Sequence, residues 1–240
     1  MVEQYFTLEI VSQYALLLTI VGVLNMIMNA LDNAIRPFLY KAYKQVKERK
    51  IEINDYVQFY ISTVLLSSSG VILIGNNLQL LTQDAHYLQI VPYFTLAAFV
   101  VFLRAYTRVF NAQLFYVKES KSVTTLTIFN VLFLIISYTL LLPKFQLKGA
   151  LYALVLTNTF SGLIFYFQAQ KIFKVDYFLR KTIGLPILLF GVIFLFELGA
   201  NQLEWSSQVF GIMQFLLTIL MVGFCYKKPI IRLWYDYVIK

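Results

Sequence analysis

Residues 11–50 read VSQYALLLTIVGVLNMIMNALDNAIRPFLYKAYKQVKERK, an apolar run over 11–35 that passes directly into a basic stretch. A helix that crosses the hydrocarbon core of a bilayer needs about 20 mostly apolar residues, and 11–35 supplies them. The stretch after it holds six of the chain's 20 Lys and Arg: Arg36, Lys41, Lys44, Lys47, Arg49 and Lys50. An apolar span closed by a cation cluster reads as a helix ending at the cytoplasmic face. Six further apolar segments follow, at 57–81, 91–115, 122–142, 149–170, 183–200 and 207–226. They are continuous rather than alternating, and too long for barrel strands of about 9–11 residues. The longest connection, Arg36 to Asp55, is itself helical in pattern. The chain is therefore expected to be all-α and polytopic, with about seven transmembrane helices. Residues 1–240 should form a single transmembrane bundle with no soluble domain.

Composition supports this and excludes several function classes. Of 240 residues, 60% are hydrophobic and 13% charged, with a mean hydropathy of +0.71. A soluble domain carries about 25% charged residues, so the charged shell of a water-soluble enzyme is not available. Aromatic residues at 17% exclude a disordered chain. The net charge of +8 does not imply nucleic acid, because the basic residues lie between apolar runs and form no groove-reading element. One cysteine, Cys225, and one histidine, His86, exclude an internal disulfide framework and multi-cysteine or multi-histidine metal sites. No GxxxxGK[ST] phosphate loop, nucleophile elbow or catalytic pair of carboxylates is present. No cofactor, no metal and no enzymatic activity are expected. Glu3 and Glu9 stand where a signal peptide would carry positive charge.

The basic residues also orient the spans. Arg104, Arg108, Lys118 and Lys121 flank the third connection, Lys171, Lys174, Arg180 and Lys181 the fifth, and Lys227, Lys228, Arg232 and Lys240 the tail. With the six after the first span, eighteen of the 20 lie at alternate connections, and only Lys144 and Lys148 fall on the other side. This predicts a cytoplasmic C-terminus and an outside N-terminus. An exported N-terminus close to a span, with an odd span number, points to a chain from which preceding spans are absent. Aromatic residues (Tyr40, Tyr43, Tyr56, Tyr87, Tyr93, Tyr116, Trp205, Trp234, Tyr235) gather at the expected interfaces. Pro143, Pro186 and Pro229 sit near segment ends.

Polar residues inside a span are expensive unless they face protein or water, so their helical phase carries information. In the first segment Gly22, Asn25, Asn29, Asp32 and Arg36 recur at intervals of three and four and share one face, with Asn33 beside them. They can wall a hydrated pathway, or they can serve interhelical hydrogen bonds and an Asp32–Arg36 pair. In the third segment Arg104, Arg108, Asn111 and Phe115 repeat the spacing, with Thr107 adjacent. Two readings stand: a cationic wall for an anionic, phosphate-bearing substrate, or an inner-leaflet anchor. Asn130, and Asn158 with Ser161, are single sites that fit helix packing or a path. Glu197 lies near the outer boundary and His86 in an outer connection.

Two stretches resemble a known family. Glu9–Tyr43, EIVSQYALLLTIVGVLNMIMNALDNAIRPFLYKAY, resembles the C-terminal half of Wzx-type polysaccharide flippases, in which a helix ends at a proline before a basic stretch. Lys118–Lys174, beginning KESKSVTTLTIFNVLFLIISYTLLLPKFQLKGALYALVLTNTFSG, is similar to that family's basic turn, apolar span, "P-x-FG-xx-GAA-x-A" loop and next span. Ser12 and Gln146 stand where the pattern has glycines, and Leu151 where it has an alanine. The resemblance places the chain in the multidrug/oligosaccharidyl-lipid/polysaccharide exporter superfamily, as spans eight to fourteen of a two-bundle transporter. It implies flipping of a polyprenyl-pyrophosphate-linked sugar repeat unit of O-antigen or capsule across the bacterial cytoplasmic membrane, without ATP. Its implied partners are membrane lipid, the lipid-linked oligosaccharide, and a missing N-terminal half or polysaccharide assembly proteins. The path would then use Asn25, Asn29, Asp32, Arg36, Arg104, Arg108, Asn111 and Asn158. A cation antiporter of the multidrug-extruder type, with Asp32 as coupling carboxylate, is the alternative. An inactive remnant or an assembly subunit is a third reading.

Overall fold

The computed structural model describes residues 8–80, 82, 84–202 and 207–234. Glu3, Trp205, Tyr235 and Lys240, and the N-terminus whose orientation the charges predict, lie outside the described residues, as do the side chains of Glu9, His86 and Trp234. The long helices are α1 (Leu8–Tyr43), α2 (Lys50–Asn76), α3 (Phe94–Tyr116), α4 (Ser120–Ile172), α5 (Leu185–Gln202), α6 (Ser207–Cys225) and α7 (Lys227–Trp234). Single turns at Leu78–Leu80, Ala85–Leu88 and Val91–Tyr93 precede α3, and a π-helical turn, Arg180–Gly184, leads into α5. No strand occurs among the described residues. Six helices, α1 to α6, are long and apolar enough to cross a membrane. Many large apolar side chains are exposed, such as Leu140, Leu195, Leu220 and Phe224, while Asn54, Gln58, Ser62, Gln113 and Gln214 are buried. That distribution inverts what water selects. The protein is an all-α polytopic membrane protein.

Several boundaries differ from those predicted. The first span was expected over 11–35, but α1 continues through Pro37 to Tyr43. A proline removes one N–H to the carbonyl four residues back, and Ala42 and Tyr43, both buried, supply packing beyond it. At 36 residues α1 is about 54 Å long, more than a bilayer core requires. The second span, expected at 57–81, starts at Lys50 and ends at Asn76. The serines of 67–69 do not interrupt it; Ser67 Oγ donates to the Thr63 carbonyl at 2.8 Å within the helix. Asn77 closes it, its side-chain amide donating to the Leu73 carbonyl at 2.8 Å.

The expected segments 122–142 and 149–170 both fall in α4, whose 53 residues would reach about 80 Å if straight. The chain reverses at Gln146, where φ is 50° and ψ −128°. Ser122 meets Gln168, Phe133 stacks on Phe160 with centroids 4.4 Å apart, and Leu141 lies against Gly149. Because these pairs run in opposite order, the arms on either side of Gln146 are antiparallel. The two predicted spans are thus the two arms of one helical hairpin.

Contacts group the chain into two compact units, a division that falls inside α1 and that no shift in composition announces. The first comprises Met1–Asn25 and Leu78–Lys174. Here Asn158 donates to the Val100 carbonyl, Gly162 faces Thr107, Phe110 packs on Tyr166 and Tyr116 on Phe173. The pairs ascend together, so α3 and the second arm of α4 run parallel. Gln13–Gln89 and Asn25–Arg104 set the start of α1 in the same direction. Gln113, fully buried, donates to the carbonyls of Ala169 and Phe173 and holds the end of α4.

The second unit comprises Met26–Asn77 and Val175–Lys240. Phe38 stacks on Tyr56 across the α1–α2 turn. Gly70 faces Phe215, Gly211 faces Leu73 and Asn76, and Ser207 Oγ donates to the Asn76 carbonyl at 3.1 Å, which makes α2 and α6 antiparallel. Arg232 of α7 reaches Asp55 at the start of α2 and extends the same register.

Candidate functional site

The first unit brings the arginines of α3 against neutral polar groups. The polar positions of α3 recur every three or four residues, while Ala97, Ala98, Val101, Phe102 and Ala105 bury its remaining surface. Arg104, half-buried in the middle of α3, donates through Nη1 to Asn25 Oδ1 of α1 at 3.3 Å. Tyr138 of the first α4 arm stands within electrostatic range of Arg104 and shares a 3.5 Å hydroxyl contact with Tyr14 of α1. Arg108, one turn further, lies within electrostatic range of Arg104 as a like charge. Among the described residues no carboxylate pairs with Arg104.

The same helices carry buried oxygens without a protein hydrogen-bond partner: Thr107 Oγ1 and Asn111 Oδ1 on α3, and Asn130 Oδ1, Thr157 Oγ1 and Ser161 Oγ on the arms of α4. Gly162, lacking a side chain, lets the second arm approach Thr107, the glycine's Cβ position being 3.8 Å from Oγ1. Each unpartnered polar atom in a membrane-embedded helix costs several kcal/mol, of order ~2–7, relative to a hydrogen-bonded one.

The predicted site residues therefore divide. Asn25, Arg104, Arg108, Asn111 and Asn158 belong to the first unit, and the structure brings Asn25 and Arg104 into contact. Asn158 is buried, with its amide on the Val100 backbone at 3.4 Å, the helix-packing role. Asn29, Asp32 and Arg36 belong to the second unit. There Asp32 and Arg36 form an ion pair at 3.4 Å, and Asn29 is exposed. Tyr14 and Tyr138, which stand by Arg104, were not singled out from sequence: a tyrosine in an apolar run reads as interface or core, and only the third dimension pairs them. Cavities of about 460 Å³, lined by Ser12, Leu16, Ile20, Leu78, Thr82 and Tyr87, and about 260 Å³, on α5 and α6, include neither arginine. No group of three His, Cys, Asp or Glu that could hold a metal ion occurs among the described residues.

Comparison with known proteins yields no matching family model, no matching curated protein and no matching solved structure.

Proposed function

We propose that this chain is a transport protein of polysaccharide biosynthesis that moves a polyprenyl-pyrophosphate-linked sugar unit across the bacterial cytoplasmic membrane. The observation that carries this reading is Arg104: a guanidinium at mid-span, held by an amide and flanked by a phenol, with no carboxylate paired to it among the described residues. Inserting an arginine at a helix centre costs about 2.5–3.5 kcal/mol on translocon scales. A phosphate charge at 4 Å returns about 4 kcal/mol at an effective dielectric of 20, so an anionic substrate offsets the cost of the arginine. One of the five guanidinium N–H donors is committed to Asn25; Arg108 adds a second cation one turn away. The unpartnered oxygens of Thr107, Asn111, Asn130 and Ser161 suit sugar hydroxyls or water, and the exposed apolar flanks of α4 suit a polyprenyl tail in lipid. The second wall of such a cavity would come from a further bundle. The antiporter alternative is less well supported, because Asp32, its coupling carboxylate, is tied to Arg36.

The test is binding of a polyprenyl pyrophosphate to the full chain in nanodiscs, with the corresponding polyprenol as control. Arg104→Gln with Arg108→Gln should weaken pyrophosphate binding by tenfold or more, about 1.4 kcal/mol or above, and leave polyprenol binding unchanged. Lysines at both sites should retain part of it. Equal binding by wild type and the double glutamine variant, at equal folded content, rejects the proposal.

A further inference from the structure

The second unit carries a cation cluster assembled from two segments distant in sequence. The π-helical turn contributes Arg180 and Lys181, and α7 contributes Lys227, Lys228 and Arg232, all exposed. Tyr226, wholly buried, donates to the Lys181 carbonyl at 2.7 Å and locks the π-turn beside the start of α7. Buried Asp55 takes Arg232 and stands within electrostatic range of Lys181. Asp55 thus touches both parts of the cluster, through Arg232 of α7 and Lys181 of the π-turn, and among the described residues Arg180, Lys181, Lys227 and Lys228 form no ion pair within 4.0 Å. Helix α7 buries Pro229 and Leu233 against the unit and leaves Ile231 54% exposed among the cations.

We infer that the π-turn and α7 form a binding site for an anionic phospholipid of the adjoining leaflet. The four cations draw the singly charged phosphodiester of an acidic lipid, each basic group near a membrane surface contributing about 1 kcal/mol of attraction. Exposed Ile231 meets the glycerol and upper acyl region, which free phosphate lacks. The backbone lock through Tyr226 holds the two cation pairs together, unlike the lysines Lys41, Lys44 and Lys47 that follow one another along the end of α1 and its turn. This site is independent of the arginines of α3.

The experiment is native mass spectrometry of the purified full chain after exchange into equal amounts of phosphatidylglycerol and phosphatidylcholine. Wild type should retain phosphatidylglycerol in preference. The variant R180Q/K181Q/K227Q/K228Q should lose that preference by about tenfold or more, while K181R/K227R/K228R keeps it and shows that the fold tolerates change there. The matched variant K41Q/K44Q/K47Q should resemble wild type. Loss of preference in K41Q/K44Q/K47Q equal to that in the quadruple variant, or no preference in wild type, overturns the inference.

Discussion

Gln146 occupies a backbone region, φ 50° and ψ −128°, that a side chain makes costly and glycine enters freely. Three residues on, a Cβ on Gly149 would collide with the Leu141 carbonyl oxygen, so the return arm can close only on a glycine. The hairpin thus has a glycine where contact demands one and lacks it where conformation does. Gln146→Gly should stabilise the protein by about 1 kcal/mol through released strain. Gly149→Ala should destabilise it by about 2 kcal/mol or more, since backbone must shift. Gly22→Ala, mid-helix and with nothing within 4 Å, is the matched control and should stabilise slightly, by about 0.5–1 kcal/mol. Thermal unfolding of the three variants in one detergent decides this; a Gly149→Ala protein that melts with wild type would show the turn to be looser. The sequence marks Gln146 as a departure from the resembling pattern, but only backbone geometry shows that it sits at the turn.

Between α4 and α5 the chain has little regular structure, and the second unit holds it by side chains of α2. Asn54, wholly buried, donates to the carbonyls of Lys50 at 2.8 Å and Asp176 at 3.0 Å and accepts from the Phe178 N–H at 2.7 Å. Lys50 pairs with Asp176 at 3.1 Å, and the hydroxyls of Tyr43 and Tyr177 meet at 3.2 Å. Replacing Asn54 by Ala strands the backbone groups of 176 and 178, at a cost of about 2–3 kcal/mol. The Phe178 amide should then exchange with deuterium faster than in wild type, while amides at the middle of α3, in the other unit, keep their protection. Unchanged exchange at Phe178 would show that the ion pair alone holds the segment. Helix existence was legible from apolar length, because a lipid-facing helix must be apolar around most of its circumference. Asn54 was not: it lies in a stretch read as a basic connector, and its partners are more than 120 residues away.

At the scale of the whole chain, charge gives a topology that can be tested directly. In the first unit α3 and the second arm of α4 run together and the first arm runs against them; in the second, α2 runs against α6. In a Cys225→Ser background, Asp84→Cys should react with an impermeant thiol reagent in intact cells and Lys228→Cys should not, if the basic ends face the cytoplasm. The reverse pattern would invert the orientation. Sequence by itself determined the all-helical, membrane-spanning class, because that follows from how much apolar length a bilayer requires. Tertiary structure alone decided that 122–170 is one hairpin, that α1 is shared between two units, and that Arg104 meets Asn25 within electrostatic range of Tyr138, with no carboxylate paired to it among the described residues. Those outcomes depend on which helix faces which, and helical periodicity specifies a face but never its partner.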